Sequence, residues 1–307
     1  MKGIMLLRKL TVIAVLCMTV LCVQGYGEMS LKQMIEQTDL LFESIENGYM
    51  ERAKACVKAG VNLKDVKRIN GRLCDALTYA VMCSRNDIVK ILIEAGADVN
   101  AKSDDSIGYT VLMWAVCNRS DYYEKKTDIV EQLIKAGADV NAKDNAGNSA
   151  LGYMVHSGDI GMAKLLIKAG ADVNAKNSSG DPILMWASEY RMIKLLIDSG
   201  VNVNEKGSYG VTALMYAHDT NIARLLIDAG ADVNAKNDYG DTALMGLDPF
   251  RSAAGLDSVD MAKFLIESGA DINSRNKDGR TALWFATNGF FKNRDVAEFL
   301  QSVGAVY

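Results

Sequence analysis

The sequence predicts an all-α solenoid, a stack of helix-turn-helix units joined by β-hairpin loops. Three observations carry that prediction. The block AGADVNAK stands at 95–102, 136–143, 169–176 and 229–236, with looser copies AGVNLKDV (59–66), SGVNVNEK (199–206) and SGADINSR (268–275). The glycines that close successive units, at 60, 96, 137, 170, 200, 230, 269 and 304, recur at intervals of 30–41 residues. Apolar residues at helical 3–4 spacing precede them, as in MAKLLIKAG (162–170). Self-similarity at such a period marks an array whose units bury their apolar faces only by stacking on neighbours.

Residues 1–25 stand outside the array. Lys2, Arg8 and Lys9 precede the 14-residue apolar run LTVIAVLCMTVLCV (10–23), and Val23-Gln24-Gly25 follows it. The run is short for a membrane span, which needs about 20 residues, so the segment reads as a cleaved secretory signal. An uncleaved anchor, or lipid attachment at Cys17 or Cys22, is the other reading. Cleavage after Gly25 removes three basic residues and no acidic one, leaving a chain more acidic than the formal −4 of the whole. Such a surface disfavours nucleic acid, whose binding depends on neutralising phosphates, and anionic lipid headgroups.

Residues 26–60 form an N-terminal helical cap, with FESIENGYMERAKACVKAG (42–60) as half a unit, and residues 61–307 form seven full units. In each, a Gly, a polar residue and a Thr or Ser precede an apolar stretch, as in GNSALG (147–152), GDTALM (240–245) and GRTALW (279–284). The hydroxyls of Ser149, Thr242 and Thr281 suit the capping of a first helix. A second helix ends on Gly in a left-handed C-cap, and Asp-Val-Asn and Lys-Asn-x-x-Gly then supply turn chemistry. The units ending at Gly200 and Gly230 lack three residues, placed between their helices (187–196, 217–226); those ending at Gly137 and Gly269 carry insertions at 117–128 and 249–260. Asp295, Glu298 and Gln301 suit an outer capping face.

This grammar resembles the ankyrin repeat over roughly residues 40–305. Thr-Ala-Leu-Met (212–215, 242–245) stands where that family has Thr-Pro-Leu-His, and Lys-Leu-Leu-Ile-x-x-Gly-Ala-Asp-Val-Asn-Ala-Lys (164–176) matches its second half. The family's histidine is replaced by Met113, Met185, Met215 and Met245, or by Gly152 and Trp284, which loses a structural hydrogen bond and no catalytic group. The resemblance implies a binding module, and with the leader the chain resembles exported bacterial ankyrin-repeat proteins. The expectation is therefore a monomeric, periplasmic or secreted scaffold for an unidentified protein partner. Family partners dock on the concave side, which transfers by repeat position to Tyr109, Asn145, Asn148, His156, Ser178, Asp181, Tyr209, Asp238, Tyr239, Lys277 and Arg280. Tyr109, Tyr209 and Tyr239 weigh most, because exposed aromatics anchor interfaces. Tyr122 and Tyr123, in the first insertion, are a second candidate. A secreted effector acting on a host protein, or an enzyme subunit using the two insertions, is the alternative.

Signs of chemistry are few. No Gly-x-Ser-x-Gly elbow, His-Glu-x-x-His, Walker or Gly-x-Gly-x-x-Gly motif occurs. His156 and His218 read as surface residues, and no catalytic, metal or cofactor site is expected. Cys56 falls on an apolar helix position; Cys74, Cys83 and Cys117 have no deducible pairing. Trp114, Trp186, Tyr79, Tyr153, Tyr216 and Phe285 recur at one repeat position and read as packing between units, as do the Leu-Leu-Ile triplets. Asn118 and Asn177 head Asn-x-Ser sequences that matter only in a glycosylating host.

Overall fold

The computed structural model describes residues 31–69, 72–117, 123–246, 258–288 and 293–307. The leader at 1–25, Asn118, Tyr122 and most of the 249–260 insertion lie outside these residues. In chain order the elements are α1 (Leu31–Asn47), α2 (Met50–Lys58), β1 (Val66–Ile69), β2 (Arg72–Asp75), α3 (Ala76–Met82), α4 (Asn86–Glu94), α5 (Val111–Cys117) and α6 (Tyr123–Lys135). They continue with α7 (Ala150–Ser157), α8 (Ile160–Lys168), α9 (Tyr190–Asp198), α10 (Thr220–Asp228), α11 (Ser258–Glu267), α12 (Ala282–Asn288) and α13 (Arg294–Ser302). Single 3-10 turns stand at Ile183–Trp186, Ser208–Gly210, Ala213–Tyr216 and Ala243–Gly246.

Two compact units result. The first comprises the described residues of Met1–Asp105 and Asn118–Ala138, the second those of Ser106–Cys117 and Asp139–Tyr307. In the first, α1 packs on α2 and α3, α2 on α4, and α4 on α6. The antiparallel hairpin β1–β2 pairs Val66 with Asp75, and Asp75 then caps α3 by accepting from Thr78 N at 2.7 Å. In the second, α5, α7, the 3-10 turns at Ile183–Trp186, Ala213–Tyr216 and Ala243–Gly246, and α12 form one layer, and α8, α9, α10, α11 and α13 form a second layer, each packed on the next.

The core repeats with the sequence. Ile88, Val89 and Leu92 of α4 are buried, and so are Ile129, Val130 and Leu133 of α6, Met162, Ala163 and Leu166 of α8, Met192, Ile193 and Leu196 of α9, and Ile222, Ala223 and Leu226 of α10. An i, i+1, i+4 stripe is what a helix presents when only one face meets its neighbours. The Leu-Leu-Ile triplets therefore contribute their middle residue: Leu166 is buried, whereas Leu165 and Ile167 are half-buried. The eight unit-ending glycines, from Gly60 to Gly304, all have φ between 83° and 95°, the left-handed conformation that stops each second helix.

The shortened units differ from expectation. Their missing residues come out of the first helix and not out of a turn. Ala187 and Ala217 leave the 3-10 turns in extended backbone, and α9 and α10 begin at Tyr190 and Thr220. Capping changes with them. Ser149 Oγ accepts from Gly152 N and Thr281 Oγ1 from Trp284 N, each at 3.3 Å, as a helix start requires. In the 3-10 turns the corresponding N–H, of Met215 and Met245, donates instead to the carbonyl of Thr212 and Thr242 at 3.1 Å. The buried Thr212 hydroxyl is left without a hydrogen-bond partner. Tyr216 is also not packing: it is 46% exposed.

The AGADVNAK block acts as a hydrogen-bonded ladder. Asp98, Asp139, Asp172 and Asp232 each accept from the backbone N–H of the Asn two residues on, at 2.8–2.9 Å. That Asn then reaches the following repeat. Asn141 donates to Gly170 O at 3.0 Å and accepts from Asp172 N at 2.8 Å; Asn204 holds Gly230 and Asp232, and Asn234 holds Gly269 and Asp271, in the same way. Lysines form a parallel rail: Lys143, Lys176, Lys206 and Lys236 donate to the carbonyls of Lys176, Lys206, Lys236 and Arg275 at 2.7–3.0 Å.

Leu166→Ala should cost about 2–5 kcal/mol in urea unfolding, because it opens a cavity in a fully packed stripe. Asn141→Ala should cost about 1–2 kcal/mol, and Asn141→Asp, which keeps the acceptor and loses the donor, about half as much. Equal midpoints for Asn141→Ala and the parent would show that the ladder adds nothing.

Candidate partner-binding surface

The hairpin tips of the second unit carry the candidate residues. Each tip is built around one side-chain acceptor that gathers two backbone N–H groups. Asp144 takes those of Ala146 and Asn148, Asn177 those of Ser179 and Asp181, Asn237 those of Tyr239 and Asp241, and Asn276 those of Asp278 and Arg280, all at 2.8–3.0 Å. Consecutive tips are bonded to each other: Asn145 N to Ile107 O, Ser178 N to Ala146 O, Asp238 N to Tyr209 O and Lys277 N to Tyr239 O, at 2.8–3.0 Å. The glycine that follows each donated carbonyl has to be glycine. Gly147 has φ 79°, and a Cβ on it would lie 2.4 Å from Ser178 N.

One tip breaks this pattern. Gly207 stands where the others have Asp or Asn, so no side chain there accepts from Tyr209 N. Tyr209 turns into the left-handed region, φ 58° and ψ 21°. Its side chain is 67% exposed and stacks on Tyr239, itself 57% exposed, with centroids 6.2 Å apart and planes at 24°. Neither a buried contact nor a favourable backbone accounts for tyrosine at this position.

The remaining predicted residues have other roles. Tyr109 is half-buried and meets Trp114 and Tyr153 edge-on, each with centroids 5.2 Å apart. It follows Gly108, whereas Tyr209 and Tyr239 precede Gly210 and Gly240; the true counterpart is Ile107, 37% exposed. Tyr109 therefore does not belong with the other two tyrosines. The Asn145 side chain donates to Ser106 O at 3.2 Å, and the Asn148 side chain to Asp144 at 3.3 Å. Asp181 accepts from Ser208 N at 2.7 Å. Arg280 pairs with Asp278 at 3.2 Å and lies over the Trp284 ring, 4.3 Å from its centroid. Ser178 Oγ donates to Ala146 O at 2.6 Å. His156 is exposed at the end of α7, away from the tips. Of the predicted residues at the tips, Tyr209, Tyr239, Asp238 and Lys277 combine exposure with side chains not bonded elsewhere among the described residues. Ile107 is the residue the sequence reading missed, and its Ile-Gly, aligned with the two Tyr-Gly pairs, is the signal that finds it.

Reactive groups are used structurally. The Tyr153 hydroxyl donates to buried Asp144, and burial followed by that carboxylate pushes Tyr153 far above the usual phenol range. Burial likewise pushes the Cys56 and Cys83 thiols up, away from the nucleophilic thiolate. All four described cysteines are free thiols. Among the described residues no group of three or more His, Cys, Asp or Glu could hold a metal ion, and no helix is long and apolar enough to cross a membrane. His218 pairs with Asp219 at 3.6 Å, and Asp219 caps α10.

Comparison with known proteins agrees with this architecture. The family described as "Ankyrin repeats (3 copies)" matches in overlapping stretches, 41–144, 121–207, 151–237 and 184–276. Among solved structures, the crystal structure of the ankyrin repeat domain of Bcl-3, titled a unique member of the IkappaB protein family, is similar at 26% identity and a TM-score of 0.60. The similarity covers 71% of this chain and 97% of that one. A search of curated proteins finds no match.

The backbone at Tyr209 makes a prediction. Tyr209→Gly removes left-handed strain of roughly 1–2 kcal/mol and adds unfolded-state entropy of about 0.5–1 kcal/mol, so unfolding should show no net loss. Tyr239→Gly has no strain to relieve and should destabilise by about 0.5–1 kcal/mol. If Tyr209→Gly is the more harmful of the two in denaturant melts, the strain assignment fails.

Proposed function

We propose, on the premise that this chain belongs to the ankyrin-repeat family, that it is a non-enzymatic scaffold holding a partner protein along the hairpin tips of its second unit. The Tyr209–Tyr239 pair is the centre of that surface. One observation carries the reading: an aromatic residue, two-thirds exposed, is kept in a left-handed backbone where glycine fits better. Strain of that kind clusters at binding sites, where the side chain's use outweighs its cost. Exposed tyrosine offers large contact area at little entropic cost on binding. Asp238 and Lys277 flank the pair and set orientation, Asn145 and Asn148 hold the tips in place and act on the partner only through them, and Asp181 holds Ser208 N with one carboxylate oxygen while the other faces the surface. Arg280 borders the surface.

The setting we propose is outside the cytoplasm, periplasmic or secreted. It rests on Lys2, Arg8 and Lys9 before the apolar run at 10–23 and on the small residues after it. The mature chain then begins near Tyr26 or Glu28. N-terminal sequencing of the protein from its native source decides this, and an intact Met1 in the cytosol removes export without touching the binding reading.

Replacing Tyr209 and Tyr239 together by Ala should weaken capture of the native partner at least about tenfold, about 1.4 kcal/mol, with an unchanged helical circular dichroism spectrum. Tyr109→Ala should instead lower stability, since it removes two edge-on ring contacts. Normal capture by the double variant, with loss of capture on deleting 118–122, would move the site to the insertion.

A further inference from the structure

We infer that the partner segment seated on this edge is basic and arginine-bearing, its guanidinium lying on the outer face of Tyr209 with Asp181 and Asp238 as counter-charges. The inference rests on the scaffold reading above and assigns the chemistry of its partner. The rings come first. Tyr209 and Tyr239 lie with centroids 6.2 Å apart and planes at 24°, and both are more than half exposed.

The tip before Tyr209 carries Ser178 and Ser179, and Ser208 Oγ donates to Ser179 O at 2.9 Å. The residues of that tip at the places of Ser208 and Tyr209 are both small, and the Tyr209 side chain is 67% exposed, open to a planar group. Charge then selects the group. Asp181 spends one carboxylate oxygen on Ser208 N; Asp238 is exposed, and its carboxylate has no partner among the described residues. No basic residue lies in 177–182, 207–211 or 237–241, and Lys277 of the following tip stands on the Tyr239 side of the pair, its backbone N–H on Tyr239 O. The nearest cations in sequence, Lys176 and Lys206, are committed to the backbone rail at Lys206 O and Lys236 O. An open aromatic face beside uncompensated carboxylates attracts a cation, and guanidinium is the one that stacks flat while donating to carboxylates in a fork. Ammonium has the charge without the plane.

The test uses the full-length protein and three fluorescein-labelled heptapeptides, Gly-Arg-Gly-Arg-Gly-Arg-Gly and its Lys and Glu counterparts, in fluorescence anisotropy at low and physiological salt. The Arg peptide should bind saturably and at least about threefold more tightly than the Lys peptide, with no binding of the Glu peptide. Tyr209→Ala and Asp238→Asn should each weaken the Arg peptide about fivefold, and Tyr209→Phe, which keeps the ring, should bind like the parent. Absence of saturable binding, equal binding of Arg and Lys peptides, or Arg binding unchanged in Tyr209→Ala and Asp238→Asn overturns the inference. The capture assay on the Tyr209, Tyr239 double variant separates the two claims. Capture that depends on the tyrosines while no Arg peptide binds sinks the basic segment and leaves the scaffold standing; capture that ignores them sinks both.

Discussion

The asparagine that closes the turn after a second helix, Asn141, Asn204 or Asn234, makes the interaction on which the rest depends. A unit of this chain is one short first element and one second helix of 9 to 13 residues, too little to bury its own apolar stripe. Its stability comes from neighbours, and neighbours help only in register. Asn141, Asn204 and Asn234 set that register by gripping the next repeat at two backbone atoms, a carbonyl and an N–H. A carboxamide is the side chain that can do both at once; aspartate lacks the donor and lysine the acceptor. The ladder attaches to the segment after the second helix, so it is indifferent to the length of the first element. The two shortened units can therefore reduce their first helix to one 3-10 turn without losing their place.

A fixed register also explains why the tips can carry a binding surface. Four tips spend an N–H on the carbonyl of the tip before them, at Asn145, Ser178, Asp238 and Lys277, and the glycine that follows each accepting carbonyl has no room for a Cβ beside the next tip. Between those demands one side chain is unconstrained. It is Ile107, Ala146, Ser179, Tyr209, Tyr239 and Asp278 in successive repeats. Variation is concentrated where the fold asks nothing, and two tyrosines fall side by side within it. Bonded tips present them as a rigid pair, so little ordering cost falls on binding.

Much of this was legible in the sequence. The repeat, the glycine C-caps and the buried second-helix stripe follow from periodicity and backbone chemistry, and the structure has all three. Two features were not. A three-residue deletion can sit in a turn or in the helix before it; MWASEY and MYAHDT (185–190, 215–220) keep apolar residues in either alignment, so composition could not choose. The i→i+3 bonds at Pro182 and Thr212 show that the helix gave way. Tyr109 was grouped with Tyr209 and Tyr239 because all three are tyrosines near a hairpin glycine. Which side of the glycine a residue occupies decides whether it faces water or the first-helix layer, and glycine position was the better guide than residue type. The left-handed backbone of Tyr209 had a sequence signal too, in Gly207 replacing the Asp or Asn that shapes every neighbouring tip.

The same bonding pattern separates charge along the chain. The rail lysines keep their positive charge but hold it against carbonyls of the following repeats, so basic groups are immobilised where the ladder runs. Aspartates divide in two: those of the Gly-Ala-Asp-Val-Asn turns are absorbed by the N–H two residues on, and those at the tips, Asp181 and Asp238, stay partly or wholly uncommitted. A structural requirement for lysine at the ladder thus leaves the tips at 177–182 and 207–211 without a basic residue of their own, Lys277 standing beyond Tyr239. The fold creates the electrostatic vacancy, and a partner's basic group completes it.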